Sequence, residues 1–341
     1  MANIKDVALR AGVSVSTVSH VVNGTRFVSK EARESVEDAV RVLGYVPSAV
    51  ARSLKSNNTR TFGMVIPNNS NPYFAEIIQG VEERCYAAGY NVIICNSNDD
   101  PERQASYIRV LAEKRVDGLI LVAAGSDEIV RATIGELKIP LVLLDREVAE
   151  LDYDLVEVDH VAGGLIATRH LLELGHPRVA CISGPSGLSP SSQRNAGWKQ
   201  ALADAGVERF DSDLVRGDFT PLGGYLAMQE LLKCTPAPSA VFVCNDLMAI
   251  GALAAAREAG VCVPDQLSIV GFDDIDLAAY SAPPLSTVVQ PKLTIGTLAA
   301  ELLLERVEEH RDSQRHIVLA PELKQRASTA PYRRPEGAHE A

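Results

Sequence analysis

The sequence predicts a small all-α headpiece of helix-turn-helix type followed by a large α/β core of two doubly wound parallel sheets. Three observations carry that prediction. Two short helical patterns meet at a glycine within the first 24 residues. From Thr61 onward, short continuous apolar runs alternate with amphipathic segments of helix length. The 341 residues also exceed what one ordinary core accommodates.

Ile4 to Ala11 reads as a first helix, Gly12 as a tight turn, and Ser14 to Val22 as a second helix. Val18, Val21 and Val22 turn inward and the small polar residues outward. In such a pair the second helix enters the DNA major groove. Val15, Ser16, Thr17 and His20 occupy its outward face. The hydroxyls suit bases or phosphates, and Val15 suits a thymine methyl group. A solvated surface histidine is the plainer reading of His20. Asn23 and Arg26, just beyond, join this candidate DNA surface.

Ser29 heads a third helix, with Glu31 and Glu34 early and Arg41 late, as the helix dipole favours, and Gly44 stops it. Pro47 and Ser48 open a brief helical stretch from Ala49 to Lys55, which a polar linker follows. Leu54 is an apolar residue among Arg52, Ser53 and Lys55. It either packs on the core or acts as a wedge that kinks a minor-groove base step, with Ser48 and Lys55 as flanking contacts. The preceding helix pair favours the wedge.

The net charge of −11 conceals a division. Residues 1–60 hold nine Lys or Arg against five Asp or Glu, and the remainder holds 24 against 39. A basic head concentrates attraction for phosphate while the acidic body avoids it. No segment has the ~18 apolar residues that a membrane span needs, and Met1-Ala2-Asn3 runs into the first helix without an export leader. The six cysteines form no ligand-like spacing with histidine and read as reduced residues of a cytoplasmic protein, most of them in the core. Catalytic and cofactor motifs are missing: no Gly-x-Ser-x-Gly, P-loop, dinucleotide fingerprint or H-E-x-x-H is present. An enzyme is therefore not expected, and neither a metal nor another cofactor is implied.

The runs TFGMVIP, YNVIICN, VDGLILVA, IPLVLLDR, RVACISGP, SAVFVCND and LSIVGFDD read as buried parallel strands. Helices are expected over Phe74–Ala88, Glu102–Arg115, Gly163–Leu174 and Leu247–Ala259, with the two halves meeting near Asp159–Gly163. Ligands of open α/β sheets bind beyond the carboxyl ends of the strands. Those exits supply Asn71, Tyr73 and Phe74; Asp145 and Arg146; Arg194 at a helix start; Phe219; Asn245; Asp273; and Gln290. Carboxylates, amides and guanidinium groups match adjacent hydroxyls, and aromatic faces cover a sugar ring or a purine. Each taken alone has a plainer role, as a helix cap or core aromatic. Their convergence at successive strand exits is what points to a site. Gly184-Pro185-Ser186-Gly187 reads only as a turn.

These motifs together resemble the LacI/GalR family of bacterial transcriptional repressors over essentially the whole chain. The resemblance rests on IKDVALRAGVSVSTVSHVVNGTRFVS, YVPSAVARSLKSNNT, NPYFAEIIQGVE, VDHVAGG, LLELGH, RNAGW, FVCNDLMAIGAL and VPDQLSIVGFDD. It implies a headpiece (1–47), a hinge helix and linker (48–60), and a core like the periplasmic sugar-binding proteins. Residues 61–161 and 291–321 would form the core's N-subdomain, residues 162–290 and 322–330 its C-subdomain, and 331–341 a disordered tail.

By resemblance, the cavity residues match the ribose contacts of a periplasmic ribose-binding protein, with Tyr73 where phenylalanine is usual. D-ribose acting as an inducer is the expected effector. Another sugar, or a purine acting as co-repressor, is the alternative, and a cytoplasmic sugar-binding protein or an enzyme on the same core is disfavoured. The implied partners are a pseudo-palindromic double-stranded operator and a second copy of the chain, at the nucleoid in the cytoplasm.

Overall fold

The computed structural model describes residues 2–24, 26–46, 58–123, 127–135, 137–146, 148, 153–186, 189–311 and 313–334. They divide into two compact units, Met1–Thr59 and Arg60–Ala341. The first contains α1 (Ile4–Ala11), α2 (Val15–Asn23) and α3 (Lys30–Leu43). Polar caps define each start. Asn3 and Asp6 bond reciprocally to each other's backbone N–H, Ser14 accepts from the Thr17 N–H at 3.1 Å, and Ser29 accepts from that of Ala32 at 3.3 Å. Each helix ends at a glycine of positive φ, the conformation in which a Cβ is most disfavoured: Gly12, Gly24 and Gly44. The core of this unit is small. Val7, Val18 and Val36 are fully buried with Ala8, Val21 and Ala39 around them, while Val22 is only half-buried at its margin. The expected helical stretch from Ala49 to Lys55 lies outside the described residues.

The second unit contains two six-stranded sheets. In the first are β1 (Thr61–Ile66), β2 (Asn91–Asn96), β3 (Gly118–Val122), β4 (Leu141–Leu144), β5 (Asp154–Val158) and β11 (His316–Leu319). In the second are β6 (Val179–Ser183), β7 (Leu214–Arg216), β8 (Ala240–Val243), β9 (Ser268–Asp273), β10 (Ser286–Val289) and β12 (Glu322–Lys324). The strand orders are β11-β5-β4-β3-β1-β2 and β12-β10-β9-β8-β6-β7. All pairs are parallel except β10 with β12. That exception to the expected parallel sheet arises because the chain passes directly from β11 to β12 with no helix between them to reverse its direction. Strands β3, β4, β6, β8 and β9 are buried along their whole length, as sheets covered on both faces require.

Around these sheets lie α4 (Pro72–Ala87), α5 (Pro101–Glu113), α6 (Asp127–Ile134), α7 (His160–Glu173), α8 (Ser189–Asp204), α9 (Pro221–Leu231), α10 (Asp246–Glu258), α11 (Asp276–Tyr280) and α12 (Lys292–Glu308). Four of them start earlier than apolar periodicity suggests, because the caps Asn71, Asp100, Asp159 and Asn245 set their first turns. For the same reason Arg194 lies inside α8 rather than at its start. The chain crosses between sheets three times: from β5 into α7, from β10 into α12, and from β11 to β12.

The tail from residue 331, expected to be disordered, is docked as far as Tyr332. Its N–H donates to the Leu174 carbonyl at 2.8 Å and its ring lies 5.7 Å from that of His176. Among the cysteines, Cys85, Cys181 and Cys244 are buried, Cys95 and Cys234 half-buried and Cys262 exposed, so the reading of most as core residues holds only in part. No helix among the described residues is long and apolar enough to cross a membrane.

Helices α7 and α8 pack through glycine. A Cβ on Gly197 would stand 2.1 Å from the Val161 carbonyl oxygen, and one on Gly164 would stand 2.2 Å from that of Arg194. This contact fixes the height of α8, and with it the position of Arg194. Replacing Gly197 with alanine is expected to destabilise the core by about 2 kcal/mol through overpacking. Urea unfolding with an unchanged m value measures it; an unaltered midpoint would refute the close contact.

Candidate functional site

A cavity of ≈ 430 Å³ opens where strands of both sheets end. Asn71, Tyr73 and Phe74 line it from the start of α4, Asp145 and Arg146 from beyond β4, and Arg194 from α8. Phe219, Asn245 and Asp273 line it from beyond β7, beyond β8 and the end of β9. Gln290 was expected among them but does not form part of the wall. It is buried behind the Tyr73 phenol, whose hydroxyl donates to its Oε1 at 3.2 Å. Pro185 and Ser186, read from sequence as a mere turn, are part of the lining, as are Asp218 and Thr220.

Local backbone geometry brings these side chains together. Asp145, Phe219 and Asp273 have φ of 71°, 65° and 118°. Left-handed conformations at non-glycine residues cost of order 1–3 kcal/mol each and persist only where surrounding structure enforces them. Gly184 leaves room for Phe219, since a Cβ there would stand 2.2 Å from the ring. Two residues also retain the capping role that was their plainer reading. Asn71 Oδ1 accepts from the Tyr73 N–H, and Asn245 Oδ1 from the Met248 N–H, while Asn245 Nδ2 donates to the Phe219 carbonyl.

The floor of the cavity is a closed ring of polar contacts. The single Tyr73 O–H that donates to Gln290 Oε1 also leans towards Asp145 Oδ2, its more distant acceptor at 3.5 Å, and His160 Nε2 contacts Asp145 Oδ1 at 3.1 Å. Arg194 Nε donates to His160 Nδ1 at 3.3 Å, and its Nη1 lies 3.7 Å from Asp273 Oδ1. Gln290 Nε2 donates to that same Asp273 oxygen at 2.7 Å and its Oε1 closes the ring at Tyr73. His160 was missed in the sequence, as was Lys292, whose Nζ donates to the carbonyls of Asp273 and Asp274. The strand-exit rule applied to β5 would have reached His160.

The two carboxyls differ. Burial pushes Asp145 up, but the His160 imidazole and the Arg194 guanidinium outweigh it and hold Asp145 below the usual range. Burial dominates at Asp273, where Arg194, Gln290 and Lys292 offset it only in part, and the carboxyl is pushed up to about 6. Burial and then the neighbouring Asp145 and Asp273 raise Tyr73 well above the ordinary phenol range, which keeps its hydroxyl a donor. Such a cavity, lined by carboxylates, amides, guanidinium groups and the rings of Phe74 and Phe219, suits a small molecule with several hydroxyls.

On α2, Val15 and Ser16 are exposed and Thr17 and His20 half-buried. The Ser16 and Thr17 hydroxyls each lie 2.8 Å from that of Ser14. Asn23 turns its amide back onto the Ser19 carbonyl at 2.8 Å, while Arg26 is exposed. Phe27, passed over in the sequence, is 96% exposed just beyond it. Ser48, Leu54 and Lys55 lie outside the described residues.

A model of bacterial regulatory proteins of the lacI family matches residues 3–48, and one of a periplasmic binding protein-like domain matches residues 168–329. The chain is 42% identical over 332 residues to the HTH-type transcriptional repressor PurR of Edwardsiella ictaluri, covering 97% of each. It is 41% identical over 329 residues to the ribose operon repressor of Escherichia coli K12, covering 96% of this chain and 100% of that one. Among solved structures, the lac repressor dimer bound to operator and the anti-inducer ONPF is similar at a TM-score of 0.87 and 28% identity, covering 96% of this chain and 99% of that one. A LacI family regulator from Enterococcus faecium with bound ribose gives 0.72 and 30%, covering 80% and 100%.

Headpiece and core together define a DNA-binding transcriptional regulator rather than an enzyme. The chain belongs to the LacI family of bacterial regulatory proteins, with the near-full-length relatives just described named as transcriptional repressors.

The raised carboxyl has a consequence for stability. An unfolded aspartate ionises near pH ~3.9. Asp273 in the folded chain ionises at about 6, so the folded state holds the extra proton in between and loses stability as pH rises through that window. Asp273→Asn is therefore expected to remove this fall, so that the difference in stability between variant and parent chain shifts in the variant's favour from pH 4 to pH 7.5. Urea unfolding at the two pH values measures this, and a constant difference would contradict it.

Proposed function

We propose that this chain is a sequence-specific repressor whose operator affinity is lowered by a small sugar, D-ribose, bound in the cavity between the two sheets. The observation that carries this reading is the polar ring at the cavity floor combined with Phe74 and Phe219 in its walls. Asn71, Tyr73, Phe74, Asp145, Arg146, Arg194, Phe219 and Asn245 are the proposed wall contacts, with Asp273 supported by Gln290. The lining sets Asp99, Asp145, Asp218 and Asp273 against Arg146 and Arg194, which leaves little net positive field for a phosphate, so a neutral ligand is preferred to a phosphorylated one. Similarity to the ribose operon repressor and to the ribose-bound regulator supports the same choice. A purine is the second reading, favoured by the 42% identity to PurR.

On DNA, the proposed contacts are Val15, Ser16, Thr17, His20, Asn23 and Arg26, with Ser48, Leu54 and Lys55 acting in the minor groove. Two copies would read a pseudo-palindromic operator at the nucleoid, one headpiece to each half-site. The homodimer is supported by large apolar side chains left exposed on α9 and α11: Leu222, Leu226, Leu277 and Tyr280. The operator-bound lac repressor dimer supports it too.

Calorimetric titration with D-ribose, ribose 5-phosphate and hypoxanthine, alongside gel shifts on operator fragments, tests the assignment. D-ribose is expected to bind and weaken the operator complex while its phosphate does not bind. Operator affinity indifferent to all three would refute the reading. Leu54→Ala is expected to weaken operator binding roughly tenfold or more, about 1.4 kcal/mol, with sugar affinity unchanged. An undiminished operator complex would remove Leu54 from the interface.

A further inference from the structure

Tyr73 is the residue through which the cavity floor differs from the simple collection of strand-exit groups. Its ring packs edge-on against Phe74 at 5.0 Å, and its hydroxyl reaches Gln290 Oε1 at 3.2 Å and Asp145 Oδ2 at 3.5 Å. Gln290 is 1% exposed and already donates to Asp273. The phenol therefore stands between a buried amide oxygen and the cavity, in the place a ligand hydroxyl would need to occupy to donate to that oxygen.

We infer that the Tyr73 hydroxyl is a specificity determinant that stands in for one ligand hydroxyl, closing the floor and selecting the smaller of two homologous sugars. The inference rests on the sugar reading above. With the hydroxyl present, Gln290 has its acceptor occupied and acts by positioning Asp273. With it removed, a buried acceptor becomes available at the floor, and the place of the phenol oxygen can take the oxygen of an added hydroxymethyl group whose carbon lies in the cavity that Tyr73 lines. A site with an unpaired polar group discriminates strongly in favour of the ligand that pairs with it.

Tyr73→Phe retains the ring and its packing, and calorimetry of the full chain with D-ribose and D-allose reads the effect. D-allose has the D-ribose ring configuration with one added hydroxymethyl group. The parent chain is expected to prefer D-ribose, and Y73F to shift the affinity ratio towards D-allose by tenfold or more. In the double variant Y73F/Q290L the shift is expected to collapse, because the oxygen the new hydroxyl would use is gone. A ratio unchanged within twofold in Y73F overturns the inference while leaving the sugar reading in place. A shift that persists without Gln290 also overturns it, since added volume alone would then account for the change. Binding of neither sugar by the parent chain would instead overturn the sugar reading, and this inference with it.

Discussion

Burial of the Arg194 charge constrains most of the core. Its side chain is almost wholly buried, its guanidinium stacks 3.8 Å from the Phe272 ring centroid, and its Nη1 donates to the Cys244 carbonyl at 2.5 Å. A buried cation is tolerated only when anions and acceptors surround it. Asp145 from beyond β4 and Asp273 from the end of β9 meet that need from different sheets, the first through His160 and the second directly. The cation is held in place by its helix. Four residues on, Trp198 is fully buried and donates to the Val179 carbonyl at 3.0 Å, and the glycine contact with α7 leaves no room for α8 to shift. The polar character of the cavity thus follows from how one helix is packed.

The same arrangement carries a cost in stability. Asp246 lies beneath the floor, fully buried, and its carboxyl is pushed well above the usual range by burial and then by Asp273. The Thr287 hydroxyl and the Ile275 N–H bond to it but do not cancel the penalty. Left-handed backbone at Asp145, Phe219 and Asp273 adds strain in the same place. The long buried strands on either side supply the hydrophobic stabilisation that sustains it.

Much of this was legible in the sequence because parallel sheets leave a strong trace. Runs such as LVLL and SIVGF have no polar interruption, and the rule that ligands lie at strand exits selects the cavity lining directly. What stayed hidden was hidden by compensation at long range. Strand β5, DLVEV, does not read as a buried strand because Asp154 is charged. Arg306 and Arg311, over 150 residues later in sequence, bond to it and make burial possible. The exit of β5, and with it His160, is hidden in the sequence for the same reason. Strands β11 and β12 are short and partly exposed, so their pattern is faint. Gln290 shows the opposite limit: its position at a strand exit was clear, but only the structure reveals that another side chain stands in front of it.

The ring and its supports also sit where the chain passes from one sheet to the other. His160 opens α7 at the first crossing, and Gln290 and Lys292 flank the second. Lys292 Nζ holds the Asp273 and Asp274 carbonyls at 2.8 and 2.7 Å and lies 3.3 Å from Glu76 of α4. Just past the third crossing, Lys324 and Arg326 bind the Asp274 carboxylate at 3.2 and 2.5 Å. Each crossing is therefore tied to Asp145 or to the Asp273–Asp274 pair. A rotation of one sheet against the other would act on these short charge-assisted bonds, which are strong and directional. A molecule that bonded Asp145 and Asp273 would thereby act on the segments that join the two sheets, because the side chains that line the cavity are bonded to those that brace the crossings.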